Sequence, residues 1–337
     1  MPQKAKIGVI GCGSMANSCH LPSLSEIENC ELTALCDLIE EKVNKAGERF
    51  NVNKRYTSHL QMLAQENLDG VVCLVEPDRM YRVVYDCLNA GVHAMMEKPA
   101  GINAYQADSL ARTSEKTGKM LAVAMNRRHI PLVQLVMKKM RELTPINQVD
   151  GVFIKSSDIA DSWHYMNAYV SDIIHAVDLV RYLAGSEPEK VATVTACNDS
   201  PVDNAWSSVI RFANGVTGTL KANYRTGGRV HSFEIHGPKA SAFINLGFGS
   251  VACNATILHA SGESIYSLAA AGVQGPNREK IDGMALAGSN QYYQHSGFKQ
   301  ENMDFINAIL TGREPLCPIA DAAKSMHMAE MMLENTI

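Results

Sequence analysis

The chain carries no strong charge of either sign: 31 lysines and arginines against 35 acidic residues leave a formal net charge of −4 over 337 residues. So mild an excess offers no electrostatic footprint for DNA, RNA or an anionic membrane, and the expected partner is a small molecule. No segment approaches the roughly 18 apolar residues needed to cross a bilayer. There is no CxxC pair either. The nine cysteines, an odd number, are scattered from Cys12 to Cys317, which argues against a disulfide framework or a zinc ribbon. Several stand in apolar runs such as Val71-Val72-Cys73-Leu74-Val75, where a thiol behaves as a small hydrophobe. The expected compartment is a reducing cytoplasm. Lys4 and Lys6 ahead of the apolar stretch ending near Cys12 mimic a short secretion signal, but Gly8, Gly11 and Gly13 would weaken such a helix. Internal repeats and low-complexity tails are also missing.

What is there is enough chain for about two domains. Apolar residues at 46% and charged residues at 20% are ordinary for a folded protein, so disorder and fibrous repeats are excluded. Lys6-Ile7-Gly8-Val9-Ile10 reads as a buried strand, followed at once by Gly11-Cys12-Gly13-Ser14-Met15-Ala16. In a G-x-G-x-x-A turn the first glycine permits the bend, the second lets backbone approach a pyrophosphate, and the alanine lets helix pack on strand. The following helix would aim its free N–H groups at the phosphates. Such glycines can also serve turn geometry alone. The predicted second strand, Glu31 to Cys36, ends at Asp37, 21 residues beyond Ala16, where a dinucleotide fold places the acid that binds the adenosine ribose. Asp37 is also a candidate cap for the helix from Glu40 to Phe50. As a ribose ligand it repels a 2′-phosphate and favours NAD, with NADP possible.

Strand and helix then alternate through Met125, which predicts a parallel, doubly wound α/β sheet over residues 1–125. Ligands of such sheets lie outside the carboxyl ends of the strands. That rule selects Gly11 to Met15, Asp37, Val75 to Pro77, Glu97 to Pro99 and Asn126 to His129. From Asn126 the texture changes to a basic helix (Pro131 to Leu143), six strand-like segments between Gln148 and Asn245, and one helix, Ser171 to Ala184. Asn214-Gly215 and Gly227-Gly228 mark hairpin turns. Residues 126–337 therefore read as a second, α+β domain with a mainly antiparallel open sheet. Ala269 to Asn290 reads as a loop, and two helices, Asn302 to Leu310 and Ile319 to Leu333, close the chain.

Two clusters carry candidate chemistry. Glu97-Lys98-Pro99 ends a buried strand at the cofactor edge, so that the Lys98 ammonium can donate to the cofactor ribose and a substrate oxygen; the bland alternative is a solvated lysine in a turn. In Ser171-Asp172-Ile173-Ile174-His175, a regular helix puts Asp172 about 60° from His175, close enough for a carboxylate to orient an imidazole used as general acid–base. A structural histidine is the competing reading. Asp178 is most simply a partner of Arg181. Trp163, His164 and Tyr165 can stack on a ring or belong to a core. Arg127 and Arg128 can receive a carboxylate or phosphate or be solvated. His20, His59, His231, His236, His259, His295 and His327 show no close carboxylate or cysteine array resembling a metal site, and no metal is expected.

The glycine turn with Asp37, the run Ala90-Gly91-Val92-His93-Ala94-Met95-Met96-Glu97-Lys98-Pro99, Asn126-Arg127-Arg128-His129, Asp172-x-x-His175-x-x-Asp178-Leu179-x-Arg181 and Gly312-Arg313-Glu314-Pro315-Leu316 together resemble the Gfo/Idh/MocA family. The resemblance implies a Rossmann domain followed by an α/β domain whose open sheet makes homodimers or homotetramers. It implies NAD(P)-dependent hydride transfer at a carbinol or carbonyl carbon of a sugar, sugar derivative or cyclitol. Some relatives instead cleave glycosides with a nucleotide cofactor or act as dinucleotide-binding sensors. Carried over, Lys98 anchors the reacting oxygen, His175 moves the proton and Asp172 assists. The implied cofactor set is Gly11, Gly13, Ser14, Met15, Ala16, Asp37, Val75, Glu76, Pro77, Glu97, Lys98, Asn126 and Arg127. The implied substrate set is Lys98, Arg127, Trp163, His164, Asp172 and His175. Two departures stand out: relatives often carry the aspartate four residues before the histidine, where this chain has Ser171, and Glu76-Pro77-Asp78-Arg79-Met80 lacks the histidine expected near Met80.

Overall fold

The structure is a computed structural model that describes residues 4–157, 166–249, 252–260 and 278–337. The first sheet contains β1 (Ala5–Ile10), β2 (Cys30–Cys36), β3 (Lys54–Tyr56), β4 (Gly70–Cys73), β5 (His93–Glu97) and β6 (Leu121–Ala124) in the order β3-β2-β1-β4-β5-β6. Every neighbouring pair is parallel. β4 and β6 are buried along their whole length, as strands covered on both faces must be. Ile7, Val9, Leu35, Val72 and Met95 form one core with Phe305 and Ile306, and each such side chain contributes about 1.5–3 kcal/mol on burial.

The covering helices are α1 (Leu21–Glu26), α2 (Glu40–Phe50), α3 (His59–Gln65), α4 (Pro77–Asn89) and α5 (Ala104–Thr117). Their ends follow from local chemistry. Ser58 and Asn103 accept from the third backbone N–H of α3 and α5, and Gly118, at φ +64°, closes α5. β3 is the one strand of this sheet absent from the expectation. Its Lys-Arg-Tyr carries no apolar signal, and backbone pairing with β2 alone defines it.

The second sheet contains β7 (Gln148–Ser156), β8 (Pro188–Ala196), β9 (Ala205–Phe212), β10 (Thr217–Asn223), β11 (Arg225–Gly237), β12 (Ala240–Leu246), β13 (Cys253–His259) and β14 (Arg278–Asp282). Their order is β14-β13-β12-β11-β7-β10-β9-β8. All neighbours are antiparallel except β7 and β10. One face is covered: α6 (Pro131–Leu143) packs on β12 and β13. Over β7 lies α7 (Ile174–Ala184), so close that a Cβ at Gly151 would stand 2.9 Å from Val180. The opposite face exposes Val194, Val209 and Phe243.

Two expectations are corrected here. Of the presumed loop Ala269 to Asn290, residues 269–277 lie outside the described residues, but 278–282 form β14 and α8 (Gly283–Ala287) follows, its N–H groups received by Asp282. The alternation of Arg278-Glu279-Lys280-Ile281-Asp282 is charged and half-exposed, so hydrophobic patterning does not reveal it. In addition, the helix expected from Ser171 is regular only from Ile174, because Tyr169–Ile173 form a π-helical turn. Angular spacing at 100° per residue therefore does not hold between Asp172 and His175.

The chain closes with α9 (Tyr292–His295), α10 (Phe298–Thr311) and α11 (Ile319–Glu334). Contacts divide it less simply than a boundary at residue 125. Val170–Ile174 and Gln291–Glu330 group with Met1–Ile130, while Pro131–Tyr169, His175–Asn290 and Met331–Ile337 make the second unit.

Within the first unit Glu301 of α10 is 2% exposed, and neither carboxyl oxygen has a hydrogen-bond partner among the described residues. Burial, reinforced by Glu97 and Asp304, holds its pKa well above the carboxylate range. A folded-state pKa above the unfolded value of about 4.3 means that stability is lost as pH rises from that value. In thermal melts, Glu301→Gln is expected to gain on the wild type between pH 5 and pH 8; a Tm difference independent of pH would contradict this.

Candidate active site

The turn after β1 is built on one carboxylate. Asp37, just past β2, accepts from the Cys12 N–H through Oδ2 (2.7 Å) and from the Ile39 N–H through Oδ1 (2.9 Å). It thus ties the glycine turn to the approach of α2, whose own cap position is Ile39 and not Asp37. Gly11 sits at φ +100°, and a Cβ there would lie 2.5 Å from the Leu74 carbonyl oxygen, so both dihedral and space require glycine. At Gly13 the situation is opposite: among the described residues no atom lies within 4 Å of an added Cβ. That free approach is what a phosphate-binding backbone needs.

Ala16 is fully buried, and the Asn17 side chain ties back to the Cys12 and Gly13 carbonyls at 2.8 and 2.9 Å. The helix opens with a π-helical stretch, Ala16–His20, running into α1. Ser14 and Met15 lie at its exposed start.

A cavity of about 500 Å³ opens beside this turn. It gathers the expected Gly11, Gly13, Asp37, Val75 and Glu76. It also holds residues that sequence reasoning missed: Leu38, Ile39, Lys42, His59, Asp78, Arg79 and Arg82. The exposed apolar pair Leu38-Ile39, 67% and 50% accessible directly after the acid, was the available signal. Pro77 opens α4 next to it.

At the carboxyl end of β5, Lys98 is held at both ends. Its backbone N–H donates to Glu97 Oε2 (3.0 Å) and its ammonium to the Ser171 carbonyl (2.9 Å). The solvated-turn reading of Lys98 does not describe this half-buried side chain. Ser171 and Asp172 are both buried, and the Ser171 hydroxyl finds no partner among the described residues. After β6, Asn126 is 3% exposed; its amide donates to the Ser296 carbonyl (2.8 Å) while its buried Oδ1 has no partner among the described residues. Orphaned polar groups of this kind call for a ligand or an ordered water. Together with the bare backbone at Gly13, they fit a dinucleotide along this edge.

Arg127 and Arg128 are both buried, which corrects the solvated reading of each. Arg128 pairs with Asp321 of α11 at 2.5 Å, so its charge is answered within the protein. His175 is half-buried in the first turn of α7, and Arg181 pairs with Glu187 at 2.9 Å. Trp163, His164 and Tyr165 lie outside the described residues.

The histidines also need correction, because carboxylates distant in sequence reach three of them and Glu234, two residues away, reaches a fourth. His20 meets Glu97 (3.2 Å), His59 meets Asp86 (3.1 Å), His236 meets Glu234 (3.2 Å) and His327 meets Asp108 (3.0 Å). Among the described residues, Asp150, Glu234 and His236 come close enough to share one ion.

Residues 5–125 match the oxidoreductase family with an NAD-binding Rossmann fold, GFO/IDH/MocA, and residues 147–243 match the C-terminal domain of the same family. The chain belongs to the GFO/IDH/MocA family. Among curated relatives of this GFO/IDH/MocA protein, D-apiose dehydrogenase of Paraburkholderia graminis is 27% identical, over 66% of this chain and 61% of that enzyme. Myo-inositol 2-dehydrogenase of Thermotoga maritima is 26% identical, over 71% of this chain and 74% of the other. Levoglucosan dehydrogenase, solved with NADH and levoglucosan, superposes with a TM-score of 0.82 at 20% identity, covering 99% of this chain and 97% of that one. A dehydrogenase from Chromobacterium violaceum reaches 0.86 at 18% identity, covering 99% and 96%. Both structures share the fold.

The two glycines of this family member separate fold from ligand. Gly11→Ala is expected to destabilise the protein by about 1–3 kcal/mol, the cost of a strained backbone plus a clash. Gly13→Ala should melt within about 0.5 kcal/mol of wild type, since nothing opposes its methyl, yet lose at least about tenfold in NAD affinity by calorimetry. Unchanged affinity would remove Gly13 from the phosphate site.

Proposed function

We propose that the protein is an NAD-dependent dehydrogenase acting on a secondary hydroxyl of a sugar, sugar derivative or cyclitol. The observation that carries this reading is Lys98, whose ammonium is held on the Ser171 carbonyl at the carboxyl end of β5, on the edge that also presents the bare backbone of Gly13. An ammonium on that edge can hold the substrate oxygen by donating a hydrogen bond and stabilise negative charge as it develops. His175 receives the hydroxyl proton, Asp172 supports it, and the C–H bond of the same carbon gives up its hydride. Bound NAD supplies the two-electron acceptor. Arg127 and Asn126 are assigned to the cofactor edge, and Trp163 and His164, outside the described residues, keep the substrate role that the family resemblance implies. The polyhydroxylated compounds named for D-apiose dehydrogenase, myo-inositol 2-dehydrogenase and levoglucosan dehydrogenase support this substrate class.

Asp37 supports NAD as the preferred cofactor, since a 2′-phosphate would meet its carboxylate. NADP is the second reading, favoured by Lys42, Arg79 and Arg82 in the same cavity. Nine free cysteines, eight of them buried, suit a reducing cytoplasm. The open face of the second sheet, with Val194, Val209 and Phe243 exposed, supports assembly into a homodimer or homotetramer.

A panel of polyols, cyclitols, sugar acids and nucleotide sugars, followed by the absorbance of reduced nicotinamide, should reveal turnover with NAD. On the substrate so found, Lys98→Ala should leave NAD affinity within about threefold and lower kcat by about a hundredfold or more; an unchanged kcat dismisses the assignment. Val209→Glu combined with Phe243→Glu is expected to reduce the sedimenting mass to that of the 36.7 kDa chain. A mass equal to the wild type's would place the interface elsewhere.

A further inference from the structure

His20 is completely buried on the π-helical stretch after the glycine turn, and both of its ring nitrogens are engaged. Nδ1 lies 3.2 Å from Asn302 Oδ1 and Nε2 lies 3.2 Å from Glu97 Oε1. Asn302, also fully buried, donates through Nδ2 to the Ser23 hydroxyl at 2.5 Å. On the other side Glu97 Oε2 receives the Lys98 N–H at 3.0 Å. A continuous buried chain therefore runs from Ser23 through Asn302, His20 and Glu97 into the backbone of Lys98.

The directions of these bonds follow from the donors. With its amide nitrogen given to Ser23, Asn302 can only accept from His20, so Nδ1 carries a proton. The contact at Nε2 then contains one proton between imidazole and carboxyl, and either placement leaves the pair without net charge. This answers a buried carboxyl that has the buried Glu301 as its acidic neighbour. The ring is further fixed edge-on against Phe298, with centroids 5.6 Å apart.

We propose that His20 is a positioning residue for Lys98: with Asn302 it fixes the Glu97 carboxyl, and Glu97 in turn fixes the backbone from which the Lys98 ammonium reaches the Ser171 carbonyl. This deepens the dehydrogenase reading and rests on it for its catalytic consequence. The groups that face His20 or its carboxyl partner are Glu97 from β5, Asn302 and Glu301 from α10, and Cys19 beside it. None of them touches the cavity beside the glycine turn, so the device acts through geometry.

The decisive variants are Glu97→Ala, Glu97→Gln and His20→Ala. A glutamine can offer its oxygen to the Lys98 N–H and its amide to the Nε2 lone pair, so it restores both bonds without the charge. Expected are a kcat lowered about ten- to a hundredfold in Glu97→Ala and His20→Ala, as for a misplacement of about 1 Å, with NAD affinity within about twofold of wild type. Glu97→Gln should stay within about threefold of wild-type kcat. Backbone hydrogen exchange gives a readout that needs no turnover. In the peptide containing Lys98, where Pro99 contributes no amide, Glu97→Ala and His20→Ala should exchange at least about tenfold faster, and Glu97→Gln should not.

Wild-type kcat in His20→Ala, or Glu97→Gln as slow as Glu97→Ala, overturns the proposal. If His20→Ala does not fold, the two Glu97 variants decide by the same criteria. A wild type that reduces NAD with no polyol defeats the dehydrogenase reading alone; the relay is then judged by exchange, where equal Lys98 protection in all variants refutes it.

Discussion

Parallel pairing dictates most of what the first unit can do. Six strands joined by crossovers must all deliver their carboxyl ends to one edge, and where the order reverses, between β1 and β4, no crossover covers that edge. The glycine turn, Asp37, Val75 and Glu76 reach a common cavity because of this constraint, although they are distant in sequence. The following strands bring Lys98 and Asn126 to the same edge. The chemistry there consists of what each strand happens to carry in the first residues after its last ladder bond.

Buried polar groups show how this edge is held. Arg128 is answered by Asp321, His20 by Glu97 and Asn302, and the Lys98 ammonium by a main-chain carbonyl. Two of these partners, Asn302 and Asp321, come from Gln291–Glu330, which groups with the first sheet. The first sheet therefore relies on α10 and α11 for side chains that neutralise its buried polar groups. Such pairs add little net stability compared with apolar replacements, but breaking one strands its partner away from water.

Legibility in the sequence followed the size of the apolar signal. β1, β2, β4, β5 and β6, their helices and the glycine turn could be read because fully buried strands and amphipathic helices leave periodic patterns. β3 and β14 could not, because charged edge strands are defined by ladder bonds. The π-helical turns at Ala16–His20 and Tyr169–Ile173 were also invisible, since one extra residue in a turn leaves no mark in composition. Lys98 was legible through its place after a buried strand. His20 was not, as its carboxylate and amide partners lie 77 and 282 residues away.

Asp37 combines two duties in one side chain, facing the cavity while stapling the Cys12 and Ile39 amides. Exchanging it to recruit a different nicotinamide currency would slacken the loop it is meant to retune. Redesign of coenzyme preference has a freer hand at Leu38, Ile39 and Lys42, whose side chains line the same hollow without supporting the glycine turn. In this scaffold selectivity and architecture are coupled at one position and separable at its neighbours, which makes the neighbours the natural ground for divergence.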